Sequence, residues 1–106
     1  MFVKRASERE WMSAGYDGAQ RAVLRLTKSE GRTSIVRLKA GAKGPRHRHG
    51  AGEDVLVLSG KVAIGGQTLG PGDYLYTEAG EEHDLLVQAR IFPGASVEFT
   101  GRLGAT

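Results

Sequence analysis

The chain has 106 residues, of which 40% are hydrophobic and 25% are charged, and its formal net charge is +3. This length suits one small domain with a modest core, and the composition excludes wholesale disorder. The absence of cysteine excludes disulfides, thiolate metal ligands and thiol nucleophiles. The sequence has no run of about 18 apolar residues and no secretory signal, so we expect a cytoplasmic protein without a membrane partner.

The charges are unevenly spread along the chain. Residues 1–48 carry twelve Lys or Arg and four Asp or Glu, whereas residues 49–106 carry three and eight. Such asymmetry can mark a nucleic-acid surface, but no basic run with interleaved aromatic residues accompanies it. We therefore expect no nucleic-acid partner, and antiparallel pairing that places the basic half beside the acidic half.

The first predicted elements are an arm over residues 1–19 and two strands. In the arm, Ser7 and Glu10 have the spacing of a capping box, which predicts a helix of at most two turns. Apolar side chains then alternate with charged ones in two stretches, which predicts half-buried strands. The first stretch has Ala22, Leu24 and Leu26 against Arg21 and Arg25, and the second has Val36, Leu38 and Ala40 against Arg37 and Lys39. Glycines and a proline, Gly41, Gly44 and Pro45, are predicted to end the second strand.

The rest of the chain predicts shorter strands separated by glycine turns. Within residues 54–59, apolar side chains occupy both the odd and the even positions, which predicts a central strand covered on both faces. Gly65 and Gly66 predict a tight hairpin. Further strands are predicted over residues 74–77, 85–87, 91–92 and 96–100. Seven or eight short strands predict one all-β domain, a sandwich or a barrel over residues 20–100, followed by a tail over residues 101–106.

The three histidines are the most informative residues for function. His47 and His49 stand two apart, so on an extended chain their imidazoles project to the same face. Glu53 keeps that parity, and His83 follows the turn at Gly80, where a neighbouring strand could bring it alongside. Imidazoles and a carboxylate without sulfur suit a divalent first-row metal, Fe, Mn, Ni, Co or Zn. The His-Arg-His segment alone could equally be a solvated basic loop.

The spacing of these residues resembles the two motifs of the cupin family. The first motif has a glycine, five residues, His-x-His, three residues, a glutamate, six residues and a glycine, which here are Gly41, His47, His49, Glu53 and Gly60. The second motif keeps Gly72, Gly80 and His83, whereas Glu78 replaces its proline and Val87 its asparagine. The resemblance covers residues 20–100, nearly the whole domain.

This resemblance implies an all-β double-stranded β-helix, the jelly-roll barrel of cupins. It also implies one divalent metal ion held by His47, His49, Glu53 and His83, with coordination positions left open. A divalent ion with one carboxylate ligand keeps a positive charge, so we expect a small anionic ligand or substrate. Arg46 and Arg48, on the opposite parity, are expected to disfavour protonation of the histidines.

Two classes of function remain open at this point. The first is a metal-dependent enzyme, most plausibly an iron dioxygenase acting on a small enolisable or diketone-like substrate, in which Glu53 either ligates the metal or accepts a proton. The second is a non-catalytic zinc-binding or ligand-sensing module, because the chain also resembles the cupin domain of zinc-binding anti-sigma factors. Isomerase and decarboxylase activities are further alternatives, since the cupin fold does not select one reaction. Because exposed sheet edges are usually covered, we expect a homodimer in which the N-terminal arm or a sheet edge is exchanged.

Some other residues could serve the site. Aromatic and methionine side chains could line the pocket, although such residues more often belong to a core or an interface: Trp11, Met12, Tyr74, Tyr76 and Phe92. Three acids near His83 could supply a second acid or base, although a solvated loop is the simpler interpretation: Glu78, Glu81 and Glu82.

Overall fold

The computed structural model describes residues 1–87 and 97–104, and this part of the chain consists of two antiparallel sheets. A short 3₁₀ helix, Ala6–Glu8, precedes ten strands. The strands are β1 (Trp11–Ser13), β2 (Ala19–Thr27), β3 (Gly31–Leu38), β4 (Lys43–Arg48), β5 (Glu53–Ser59), β6 (Val62–Ile64), β7 (Gln67–Leu69), β8 (Tyr74–Thr77), β9 (Glu82–Val87) and β10 (Val97–Leu103). One sheet has the order β1-β2-β3-β10-β5-β8 and the other β4-β9-β6-β7. The all-β prediction is confirmed; the strand predicted over residues 91–92 and the start of that over 96–100 lie outside the described residues.

The core lies between the two sheets. The six-stranded sheet contributes the buried residues Leu38, Val57 and Val97, and the four-stranded sheet contributes Val62 and Ile64. Because side chains alternate along each strand, the neighbours of these residues point away from the core. This packing leaves one end of the barrel free for polar side chains.

The pairing of β2 with β3 changes parity partway along. Arg21 pairs with Val36 and Val23 with Ser34, but Arg25 pairs with Thr33, so Leu24 is an extra residue in a bulge. Arg21 precedes the bulge; it shares a face of β2 with the core residue Ala19 and pairs with Val36, so it lies on the inner face. The predicted alternation is therefore wrong for this strand: Ala22 is buried on the opposite face, and Leu26 is 68% exposed.

The second predicted strand ends at Leu38, before Gly41, but part of the segment predicted to end it lies inside the next strand, β4. Gly44 and Pro45 both lie within Lys43–Arg48, and the pairing of β4 with β9 shifts between Gly44 and His47. Proline lacks an amide hydrogen, but within residues 1–87 and 97–104 β4 has a neighbour, β9, on one side only. The strand can therefore continue to His47.

The glycine hairpin forms as predicted. Gly65 and Gly66 both have positive φ, +58° and +80°, as a two-residue hairpin between β6 and β7 requires.

The prediction for residues 54–59 holds only in part. They form β5, between β10 and β8, but Leu56 and Leu58 are 39% and 44% exposed, so only one face is covered.

The N-terminal segment contains less helix than its sequence predicts. Only Ala6–Glu8 is helical, and the amide of Arg5 donates to the Glu8 carboxylate, so the predicted Ser7–Glu10 capping box is wrong. The chain instead extends into β1, which pairs with β2. No helix in the described part is long and apolar enough to cross a membrane.

Ion pairs join the two differently charged halves, as predicted. Arg37 of β3 donates to Glu98 of β10 at 3.0 Å. Arg46 and Arg48 of β4 both reach Glu82 of β9, at 3.4 and 3.2 Å. These side chains are partly or largely exposed, so each pair contributes little to stability. Their effect is to neutralise charge across neighbouring strands.

Candidate metal centre

Backbone hydrogen bonds bring the histidine segments of β4 and β9 together. His47 pairs with His83 across these strands. Just beyond β4, the amide of His49 donates to the carbonyl of Glu81 at 3.1 Å, and the amide of Gly80 donates to the carbonyl of His49 at 2.8 Å. The loop that follows β4 is thereby held against the loop that precedes β9. His49 and His83 consequently converge, although they are far apart in sequence.

Three side chains converge closely enough to hold one metal ion. Ligand atoms of His49, Glu53 and His83 all lie within 4.8 Å of one another. Nε2 of His49 is 3.3 Å from Oε1 of Glu53. Two donor atoms that each lie about 2.1 Å from a shared cation are roughly 3–3.5 Å apart. The spacing of this pair therefore fits joint ligation.

The buried nitrogens of the two histidines lack protein partners. Nδ1 of His49 and both ring nitrogens of His83 are buried without a hydrogen bond in the described part of the chain. The backbone of Asp84 lies near the His83 ring but outside hydrogen-bond geometry. Buried polar atoms normally have a partner, so these nitrogens fit a site that takes an additional group.

Burial favours the neutral, metal-binding form of His83. Desolvation lowers the pKa of this imidazole, and the neighbouring His49 lowers it further by charge repulsion. A neutral ring keeps a lone pair available for a metal ion. The arrangement thus supplies ligands without first having to remove a proton at neutral pH.

His47 lies beside this cluster but outside it. Its ring centroid is 4.5 Å from that of His49 and 5.4 Å from that of His83, and the side chain is exposed. Its Nδ1 donates to the carbonyl of Pro45 at 2.9 Å, since a carbonyl can only accept. In the neutral ring Nε2 is then unprotonated, which leaves it free to ligate.

The cluster opens into a cavity of about 320 Å³ between the sheets. Its apolar walls come from both sheets and from the end of β10: Val36, Val55, Ile64, Leu85, Phe99 and Leu103. Its polar lining includes Tyr16, Arg21, Arg32 and Arg48, together with the three histidines and Glu53. A larger cleft of about 620 Å³ beside β1 and β2 holds none of the histidines.

Sequence reasoning missed three of these lining residues. Arg21 was predicted to lie on a solvent-facing side of β2, but it shares the inner face of that strand with Ala19. No pattern singled out Tyr16 or Arg32. Tyr16 lies in the loop after β1, and burial, followed by the charge of Glu53, raises the pKa of its phenol. The phenol is therefore neutral and can donate a hydrogen bond into the cavity.

Several other candidate residues lie away from the cavity. Tyr74 and Tyr76 are exposed on β8, and Met12 is exposed on β1. Trp11 packs against Arg37, whose guanidinium carbon lies 4.1 Å from the centroid of the Trp11 ring. Phe92 lies outside the described residues. Glu78, Glu81 and Glu82 are exposed, and Glu82 binds Arg46 and Arg48. None of the described members of this set lines the cavity.

The two-sheet barrel and its histidine cluster define the chain as a cupin. Residues 1–92 match the family of the ChrR cupin-like domain, and the chain belongs to this family. A curated relative, the DNA damage-repair/toleration protein DRT102 of Arabidopsis thaliana, is 35% identical over 66 residues. That match covers 57% of this chain and 21% of the relative, so the chain spans about a fifth of that protein's length.

Solved structures confirm the double-stranded β-helix. The anti-sigma factor ChrR of Rhodobacter sphaeroides, solved in complex with SigE, has a TM-score of 0.77 at 23% identity, covering 94% of this chain and 52% of its own. The polyketide cyclase RemF from Streptomyces resistomycificus has a TM-score of 0.82 at 15% identity, covering 100% and 80%. A predicted oxalate decarboxylase from Thermotoga maritima has a TM-score of 0.78 at 24% identity, covering 99% and 100%. At these identities the likeness concerns the fold alone.

Proposed function

We propose that this chain is a metal-dependent enzyme of the dioxygenase type that acts on a small anionic or enolisable substrate. His49, Glu53 and His83 would hold one divalent ion, with His47 as a fourth ligand. The observation that carries the proposal is that ligand atoms of His49, Glu53 and His83 lie within 4.8 Å of one another. They face a cavity that is large enough for a small molecule. The chemistry of imidazole and carboxylate donors suits Fe, Mn, Ni, Co or Zn.

The cavity supports small-molecule chemistry more than a purely structural metal site. A structural ion has all its positions filled by protein, whereas here the cluster faces open space lined by apolar walls. When bound, the ion would supply Lewis-acid stabilisation of an enolate. The apolar walls would exclude water, and the Tyr16 hydroxyl could donate to a substrate oxygen. Glu53 would either ligate the ion or, when released from it, accept the proton in enolisation.

The overall reaction proposed is oxidative cleavage of a carbon–carbon bond in a diketone. One molecule of O₂ is consumed per substrate, and its two oxygen atoms enter the two carbonyl products. No further reductant is needed. An iron- or manganese-loaded protein is therefore expected to take up oxygen only in the presence of an enolisable substrate.

A zinc-binding sensory module is the second candidate. It is supported by the membership of the ChrR cupin-like domain family, whose ChrR relative was solved with a sigma factor. In this alternative the cluster binds zinc and the cavity binds a ligand without turnover. A cytoplasmic location and a homodimer stay predictions under either proposal.

Metal analysis followed by oxygen uptake tests the proposal. Untagged protein purified without oxygen or chelators is expected to hold about one iron, manganese or nickel per chain by elemental mass spectrometry. Oxygen consumption with small diketones should then follow metal content. Zinc as the sole stoichiometric metal, with no turnover after iron loading, would favour the sensory module. Failure to take up any metal on reconstitution would overturn both.

A further inference from the structure

A second polar group lies in the cavity, on the opposite sheet from β4 and β9. Arg21 of β2 and Arg32 of β3 both line it, together with Val36, Phe99 and Leu103. The two arginines come from adjacent strands of the six-stranded sheet, whereas His83 belongs to the four-stranded sheet. A ligand in the cavity would therefore meet the histidine cluster on one side and guanidinium groups on the other.

These two cavity arginines lack the carboxylate partner that several other strand arginines have. Arg25 binds Glu30, Arg37 binds Glu98, and Arg48 binds Glu82. Within residues 1–87 and 97–104, neither Arg21 nor Arg32 forms an ion pair. Nε of Arg21 is moreover buried without a hydrogen-bond partner.

Two unpaired cations close to each other in a partly buried site favour an anion. Burial, followed by the charge of Arg32, lowers the pKa of Arg21, as expected for two cations that line the same cavity. Guanidinium groups stay charged in proteins, so the repulsion is relieved by binding an anion and not by losing a proton. Among the described lining residues, three arginines face one carboxylate, Glu53.

The size and walls of the cavity restrict the ligand further. A volume of about 320 Å³ equals that of roughly ten water molecules in the liquid, which suits a small ligand. The surface between the polar groups is apolar, with Val36 and Phe99 near the arginines and Ile64 and Leu85 near the histidines. A short carbon chain fits this middle region.

We propose that Arg21 and Arg32 form a carboxylate-binding subsite, so that the substrate is a short oxo acid with its enolisable carbonyl at the histidine cluster. The inference rests on the proposed function for the carbonyl end and on the arginines alone for the carboxylate end. The planar fork of a guanidinium matches the two oxygens of a carboxylate, which favours this group over a neutral tail of the same length.

A matched pair of probes tests the subsite. Heptane-2,4-dione and 4,6-dioxoheptanoate share one seven-carbon skeleton and differ by a terminal methyl or carboxylate. Calorimetric titration of the zinc-loaded protein, which avoids turnover, is expected to give at least tenfold tighter binding of the carboxylate probe. The same carboxylate preference is expected, with weaker overall binding, in chelator-treated protein.

Variants of the two cavity arginines are compared with a control variant on the same strand as Arg21. Arg21→Gln and Arg32→Gln should each weaken 4,6-dioxoheptanoate about tenfold and leave heptane-2,4-dione unchanged, whereas Arg25→Gln, which changes an exposed arginine of β2, should affect neither. Arg21→Lys should retain part of the preference. Arg32→Gln carries the test if Arg21→Gln does not fold.

The outcomes separate the subsite from the metal proposal. Equal binding of the two probes to wild-type protein, or equal weakening of both by Arg21→Gln, would overturn the subsite even when the metal site is intact. A protein that takes up no metal but loses its carboxylate preference in Arg21→Gln and Arg32→Gln would support the subsite and overturn the metal-dependent function.

Discussion

His47 and His83 are partners across β4 and β9, yet the His83 ring is buried and the His47 ring is exposed. The difference arises because β4 is the edge of its sheet, whereas β9 lies between β4 and β6. Two histidines of the same predicted site thus have different surroundings. Their contributions to metal binding should differ accordingly.

Removal of a buried ligand should abolish metal binding. In His49→Ala or His83→Ala the cluster retains only two of its three converging side chains, so the metal content should fall well below one per chain. Elemental mass spectrometry after equilibrium dialysis measures this. Arg48→Ala, which removes an exposed neighbour, should keep the wild-type content. Full metal content in both histidine variants would show that the site is assigned to the wrong residues.

Removal of His47 should have a smaller effect than removal of His83. The His47 ring is exposed, so as a fourth ligand it should be held less firmly than the buried histidines, and His47→Ala should lower the affinity by about 10–100-fold. Competition with a chromophoric chelator measures the affinity. A loss as large as that of His83→Ala would show that exposure does not weaken this ligand, whereas wild-type affinity would exclude His47 as a ligand.

Metal binding should also stabilise the fold. At a free metal concentration of about 100 times Kd, binding contributes about 2.7 kcal/mol. For a domain of this size that corresponds to an increase in Tm of roughly 10–20 °C. Thermal unfolding with zinc and after chelator treatment tests this expectation. An unchanged Tm for the wild type, or an increase that persists in His83→Ala, would contradict binding at the cluster.

Alternation and spacing along the chain are enough to predict the convergence of three of the candidate ligands. The parity of His47 and His49, the small residues before Glu53 and the turn before His83 are local features, and the convergence of His49, Glu53 and His83 agrees with them. The cupin motifs extend this to the fold, which the family match and the structural neighbours confirm.

The arginine side of the cavity could not be predicted in the same way. Arg21 lies inward because the face of β2 that carries Ala19 packs toward the core, whereas the alternation of Ala22 with Arg21 predicts the opposite face as the inner one. The continuation of β4 through Pro45 has a similar origin, because it depends on which strand is at the edge of the sheet. Both features are set by tertiary pairing, which alternation along one strand does not contain.

A methyl group added at Gly44 should destabilise the protein. A Cβ there would lie 3.1 Å from Cβ of Leu85 and 3.2 Å from the Tyr16 phenol, so two packed side chains would have to move. Overpacking of this kind costs about 1–3 kcal/mol. Urea unfolding should show this loss for Gly44→Ala. Gly101→Ala, whose added Cβ meets nothing within 4 Å, should stay close to wild type, and equal losses in both would refute the packing argument.

The outer face of β5 and β8 should form the interface of the expected homodimer. Leu56 and Leu58 are exposed there beside Tyr74, although Val55 and Val57 on the other face are buried. A second copy suits this surface because a two-fold axis pairs the same apolar patch with itself. Among the described strands, β8 is moreover at the edge of the six-stranded sheet, and such edges are usually covered.

Charge placed on this face should separate the subunits. Light scattering at tens of micromolar is expected to give a dimer mass for the wild type and a monomer mass for Leu58→Glu, because burial of an unpaired carboxylate is costly. Leu26→Glu, at an exposed leucine near the end of β2, should remain dimeric. A monomeric wild type would contradict the dimer itself. A dimer that survives in both Leu58→Glu and Leu56→Glu would move the interface elsewhere, to the N-terminal arm or another sheet edge.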